Sequence, residues 1–233
     1  MTPDTANNKI FCAIDTNDLQ AAINIAGDVA ARTKAYKLGL EFFNTHGPGG
    51  VRQVQESVPN ADLFLDLKYH DIPNTVAGAI KAVTSHVTPA YLNVHCSGGV
   101  EMMRAARDAC PAETKLLGVT ILTSLDDAAL DDIGYASKSR DAALKLACLA
   151  EEAGLDGVVC SAHEIQAIRK SCGPNFELMV PGIRPEGTAT NDQKRVMTPR
   201  QAIDKGATHL VIGRPITQAD DPAAAVKKIL QSM

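Results

Sequence analysis

Residues 62–76 read DLFLDLKYHDIPNTV. The stretch 62–68 is a short apolar run with the composition of a buried strand. Asp66 and Lys68 nevertheless stand inside it, two positions apart, so a strand projects both from one face. Asp71 falls just beyond, in the loop. A plain core strand has no use for an anion, a cation and a second anion at its end. A strand whose end lines a site does.

Working outward, similar apolar runs recur along the chain. Strands are expected at 9–15 (KIFCAID), 35–40 (AYKLGL), 62–68 (DLFLDLK), 90–96 (AYLNVHC), 115–122 (KLLGVTIL), 157–161 (GVVCS), 177–181 (ELMVP) and 209–213 (HLVIG). Helical segments lie between them, with their own start and stop signals. Ser161-Ala-His-Glu164 has the form of a capping box. Thr198-Pro-Arg-Gln201 combines an N-cap, a proline at the first helical position and a capping-box glutamine. Gly154 stops the run DAALKLACLAEEA, and Val226, Ile229 and Leu230 mark one face of the last helix. Eight strands alternating with about eight helices imply a parallel sheet, because consecutive parallel strands need a crossover. That count, in 233 residues without a linker or composition shift, favours an α/β fold of one (β/α)8 TIM barrel spanning 1–233. No GxGxxG opens the first helix, which weighs against an open dinucleotide-binding sheet.

Composition narrows the partners. With 45% hydrophobic and 21% charged residues the chain can bury a full core, and a formal charge of −4 provides no basic field for nucleic acid. No apolar stretch approaches the roughly 20 residues that cross a bilayer, and the N-terminus lacks the pattern of a secretory signal. Six cysteines, Cys12, Cys96, Cys110, Cys148, Cys160 and Cys172, are scattered without a C-x-x-C pair. Reduced thiols in a cytoplasmic protein are the expectation. The histidines show no zinc-type spacing, so no protein-held metal is expected.

In such barrels chemistry sits at the C-terminal ends of the strands. Asp15 ends the first run, Lys37 interrupts the second, and Asp66 and Lys68 lie on the third. Asn93 and His95 end the fourth, Thr123 the fifth; Arg184 follows the seventh and Arg214 the eighth. Each has a plain structural account when taken alone. Asp15 can cap or meet solvent, His95 can be a hydrogen-bonded wall residue, Lys37 can lay its stem along apolar surface, and Asp66–Lys68 can be a structural ion pair. Together, Asp15, Lys37, Asp66 and Lys68 are harder to explain this way, because burying four charges is costly unless they pair around a purpose. In HLVIGRPI a glycine and an arginine follow the eighth strand, where barrels often bind phosphate. There Arg214 can grip an anion bidentately, although a tight turn and a surface charge would read the same. The seventh loop, PGIRPEGTATNDQKR, is of a length and composition that can close over a ligand.

DLKYHDIPNTV resembles the signature of the orotidine 5′-phosphate decarboxylase family. The likeness continues through ID at 14–15, YKLG at 36–39, LTS at 122–124, PGIRP at 181–185 and IGRPI at 212–216. The resemblance implies cofactor-independent conversion of orotidine 5′-monophosphate to UMP and CO2, the last step of de novo UMP synthesis. It casts Lys68 as proton donor to C6, with Asp66 beside the departing carboxylate. It makes Asp71 an aspartate supplied across a homodimer interface, together with Ile72 and Thr75. Asp15 and Lys37 then contact the ribose, Thr123 and Pro181 line the pyrimidine pocket, and Gln193, Gly213 and Arg214 hold the phosphate, with Arg184 in the closing loop.

Loss of CO2 from C6 leaves charge in an sp2 orbital that no π-system absorbs, and most decarboxylases recruit an electron sink such as PLP. Without one, a fixed ammonium must stabilise the carbanion and then protonate it. Acidic neighbours favour the charged amine, which argues against a Schiff-base aldolase. Two other readings remain open at this stage. One is a Mg-dependent 3-keto sugar-phosphate decarboxylase or synthase of the same barrel superfamily, with Glu41 and Asp66 as ligands. The other is a non-catalytic barrel that senses a nucleotide or sugar phosphate.

Overall fold

The computed structural model describes residues 9–185 and 197–233. Eight strands form a closed barrel in sequence order: β1 (Ile10–Ile14), β2 (Ala35–Gly39), β3 (Asp62–Tyr69), β4 (Tyr91–His95), β5 (Lys115–Val119), β6 (Gly157–Val159), β7 (Glu177–Val180) and β8 (His209–Ile212). Every neighbouring pair is parallel, and β8 closes on β1 with Ile10 opposite Leu210. All eight expected strands are present; six begin at the expected residue, and the C-terminal ends differ by one to three residues.

The described residues place α1 (Leu19–Thr33), α2 (Leu40–Ser57), α3 (Pro73–Thr84) and α4 (Gly99–Ala109) in the first four crossovers. Two helices, α5 (Asp127–Asp132) and α6 (Ser139–Glu152), share the fifth; α7 (Ile165–Cys172) and α8 (Pro199–Asp204) follow β6 and β7. After β8 come a single turn, α9 (Arg214–Thr217), and α10 (Pro222–Gln231). None of these helices is long and apolar enough to cross a membrane.

The strands are buried on both faces, and alternation sorts their side chains into two cores. Ile10, Cys12 and Ile14 pack outward with Tyr36, Leu38, Leu63 and Leu65 against the helices. Phe11, Ala35, Phe64, Tyr91, Leu117, Met179 and Val211 fill the barrel itself. Toward the N-terminal ends of the strands this filling becomes aromatic, with Phe11 meeting Tyr91 edge-on at 5.3 Å and His209 at 5.5 Å. A polar knot lies beside them. Glu177 pairs with Lys115, lies 3.0 Å from His209 Nδ1 and accepts from the Tyr91 hydroxyl at 3.4 Å. Burial alone would raise the Glu177 carboxyl, but the hydrogen bonds and charges of His209 and Lys115 bring it down to about 2.

Two of the local signals are realised as expected. Thr198 and Gln201 exchange both capping-box bonds, at 3.3 Å each, with Pro199 in the first turn. Gly154 follows α6 with φ +80°, a left-handed conformation that suits glycine. The Ser161–Glu164 pair behaves differently. Glu164 accepts from the Ser161 N–H at 2.8 Å, but α7 starts only at Ile165, so the bond closes a preceding turn instead of capping a helix at Ser161. All six cysteines are free and five are buried; burial pushes the Cys12 and Cys96 thiols up to about 12.

Candidate active site

A cavity of about 660 Å3 opens at the C-terminal ends of the strands. Its charged wall follows the strand order β8–β1–β2–β3. Arg214 and Gly213 lie after β8, Asp15 after β1, Lys37 on β2, and Asp66 and Lys68 on β3. Four adjacent strands therefore present a continuous arc. A Cβ on Gly213 would sit 3.8 Å from Asp15 Oδ2, and Lys37 Nζ lies 3.1 Å from Asp15 Oδ1. Lys37 Nζ is also 3.5 Å from Asp66 Oδ2, and Asp66 Oδ1 accepts from Lys68 Nζ at 2.6 Å. Thr123, Pro181 and Arg184 line the same cavity.

The order of charges in the arc, acid–base–acid–base, is what lets its two middle members, Lys37 and Asp66, be buried while Asp15 stays exposed. Lys37 is only 7% exposed. Its burial works against its charge, but Asp66 and Asp15 more than offset this and hold the ammonium above its ordinary range. Asp66 is the mirror case. Burial raises its carboxyl, yet Lys37, Lys68 and the hydrogen bonds of Lys68 and Asn93 carry it below the usual carboxylate range. Lys37 thus does not lay its stem along surface with its head in water. It is wedged between two carboxylates.

The end of β3 is not a regular strand. Leu65 pairs with Leu92 and Tyr69 with Val94, so four residue steps of β3 lie against two of β4. Within this break Lys68 has φ +49°, one of two positive-φ non-glycine residues among those described. The left-handed conformation costs such a residue about 1–2 kcal/mol. Asn93 on β4 holds it: the Lys68 N–H donates to Asn93 Oδ1 at 2.7 Å, while Asn93 Nδ2 donates to Asp66 Oδ1 at 2.7 Å. Sequence reasoning placed Asn93 at a strand end without a role. The only signal was a polar residue inside the apolar run YLNVH. His95, two residues on, is half-buried with its ring 5.4 Å from that of His70; burial, then His70 and Lys68, lower its pKa.

Several expected residues lie elsewhere. Asp71, Ile72 and Thr75 are exposed and do not line the cavity of their own chain. Asp71 Oδ1 accepts from the Ile72 N–H at 2.6 Å. Gln193 lies outside the described residues, as does most of the seventh loop. The segments flanking that stretch are tied by an Ile183–Met197 bridge, and Arg184 N–H donates to the Met197 carbonyl at 3.0 Å. Glu41, the partner of Asp66 in the metal-dependent reading, is exposed in the first turn of α2 and does not line the cavity. Of the two ligands that reading named, only Asp66 lines the cavity.

Comparison with known proteins agrees with this geometry. Residues 8–229 match the family described as orotidine 5′-phosphate decarboxylase / HUMPS. The orotidine 5′-phosphate decarboxylase of Idiomarina loihiensis is 49% identical over 230 residues, covering 97% of each chain. That of Novosphingobium aromaticivorans is 49% identical over 224 residues, covering 96% of this chain and 98% of the other. The crystal structure of orotidine 5′-phosphate decarboxylase from Lactobacillus acidophilus superposes with a TM-score of 0.80 at 32% identity, covering 96% of this chain and 98% of that one. This chain belongs to the orotidine 5′-phosphate decarboxylase / HUMPS family.

Proposed function

We propose that this chain decarboxylates orotidine 5′-monophosphate to UMP and CO2 without a cofactor, with Lys68 as the acid. The reading is carried by the Lys68 ammonium, held 2.6 Å from a buried carboxylate at the edge of a cavity whose far end carries Gly213 and Arg214. The C6–carboxylate bond breaks, CO2 departs, and the electron pair stays on C6. Lys68 stabilises that pair and then transfers a proton to it, forming the C6–H bond of UMP. The resulting amine regains a proton from solvent.

Asp66 fixes the ammonium from the side away from solvent. Asp15 and Lys37, next along the arc, are placed for the ribose hydroxyls, and Arg214 with the Gly213 backbone for the phosphate. Thr123 and Pro181 bound the pyrimidine end. Asp71, Ile72 and Thr75, exposed on the rim, serve the site of a second copy in a homodimer. The whole chain acts as one domain, in the cytoplasm, on a small nucleotide; nucleic acid and membrane are not its partners.

The test is loss of ring absorbance when purified protein meets orotidine 5′-monophosphate, with and without exhaustive chelation. Turnover should survive the chelator, and Lys68→Ala should lower kcat by about 1,000-fold or more. Unchanged CO2 release by Lys68→Ala, or activity abolished by chelation, would defeat the proposal.

A further inference from the structure

Asn93 has no surface, with 0% exposure, and does not line the cavity. Both ends of its amide are nevertheless committed to the reactive cluster. The orientation of the amide follows from its neighbours. Lys68 N–H is a donor and meets only an oxygen, so Oδ1 faces it and Nδ2 faces Asp66 Oδ1. Asp66 Oδ1 is also the oxygen that receives Lys68 Nζ. One side chain on β4 therefore grips the lysine at its backbone and the carboxylate that holds the lysine at its tip.

The break in the β3–β4 ladder gives this grip a purpose. Between Leu65 and Tyr69 the two strands lose register, and within that gap Lys68 is left-handed. Asn93 Oδ1 accepts the Lys68 N–H there, in place of a regular ladder bond. A neutral donor–acceptor pair is what these two contacts require. Alanine supplies neither. Aspartate keeps the acceptor for Lys68 N–H but sets a second anion against Asp66.

We propose that Asn93 is a positioning residue for the decarboxylation: it locks Lys68 in its left-handed conformation and ties Asp66 to it, so the ammonium is held where C6 is to be protonated. The inference rests on the assignment of Lys68 as proton donor. Asn93 is buried behind the cavity wall, so its effect belongs to the chemical step and not to the grip on ribose or phosphate.

The experiment compares wild type, Asn93→Ala and Asn93→Asp for kcat, KM, UMP affinity by calorimetry, and melting temperature. Asn93→Ala should lose kcat by about 100-fold, the scale of a small misplacement of a reacting group, with UMP affinity within about threefold of wild type. Asn93→Asp adds a readout that packing alone would not move. Around position 93 the charged and titratable groups are Asp66 and Lys68 from β3, Lys37 acting through Asp66, and Tyr91 and His95 on β4 itself, with His70 beside His95; β5 presents Leu117. As pH falls the carboxyl at 93 takes up a proton and can donate to Asp66 as the amide did. Its kcat relative to wild type should therefore rise between pH 8 and pH 5.

Asn93→Ala with wild-type kcat overturns the proposal. So does a loss of UMP affinity as large as the loss of kcat, which marks general damage. Should Asn93→Ala not fold, the isosteric Asn93→Asp decides: a kcat ratio flat with pH overturns the proposal. Wild-type turnover in the same assay separates the two layers. A wild type that does not decarboxylate sinks the functional reading and this one together, whereas an active wild type with indifferent variants sinks only the role of Asn93.

Discussion

Arg214 leaves β8 immediately after Gly213, at the end of the charged arc away from Lys68. If it grips the phosphate, its contribution belongs to that group alone. Arg214→Ala should lower kcat/KM for orotidine 5′-monophosphate by about 100-fold, the order of a lost charge-assisted pair, yet barely alter turnover of the phosphate-free nucleoside. Equal losses on both substrates would place the guanidinium in another role. The residues of the arc were legible in the sequence for a physical reason. A charge inside an apolar run is expensive, so Asp15, Lys37, Asp66 and Lys68 each stood out, and their sum pointed to a site. Asn93 carries no charge and breaks no such rule. Its importance comes from contacts to residues 25 and 27 positions earlier, which no local pattern reveals.

At the level of strands, the β–α alternation was readable because parallel strands buried on both faces appear as continuous apolar runs. Their ends were less so. The run KLLGVTIL stays apolar to Leu122, but β5 ends at Val119, and Ile121, Leu122 and Thr123 turn to line the cavity instead. The bent end of β3 was invisible, since its left-handed residue is a lysine and not a glycine. At the opposite ends, β4, β5, β7 and β8 meet in the knot around Glu177. The folded carboxyl titrates at about 2, below the roughly 4.3 of an unfolded glutamate. Its stabilisation is therefore complete above about pH 4.5 and is lost as pH falls toward 2. Glu177→Gln should unfold more easily than wild type at pH 7, by on the order of 2 kcal/mol, with the gap in melting temperature closing toward pH 2. A gap constant from pH 7 to pH 3 would show that the charge of Glu177 contributes nothing.

For the molecule as a whole, the most informative surface is the rim after β3. Ile72 is 66% exposed beside Asp71, and neither lines the cavity of its own chain. A second copy of the chain, as proposed above, would give them a task. Lys68→Ala and Asp71→Ala proteins, each inactive, should recover about one quarter of wild-type activity when subunits exchange, because half the dimers are mixed and each mixed dimer has one intact site. Exchange without recovery would mean that each chain works alone. The proposal of shared sites comes only from resemblance, since nothing in one chain's periodicity says what lies across an interface.

The aromatic filling and the knot at its base have one more consequence. Phe11, Tyr91 and Met179 fill the barrel below the charged arc, so among the described residues the chamber is closed at its floor. Gas and nucleotide, the two products, then have no way out through that floor and leave on the side of the barrel where the charged arc lies.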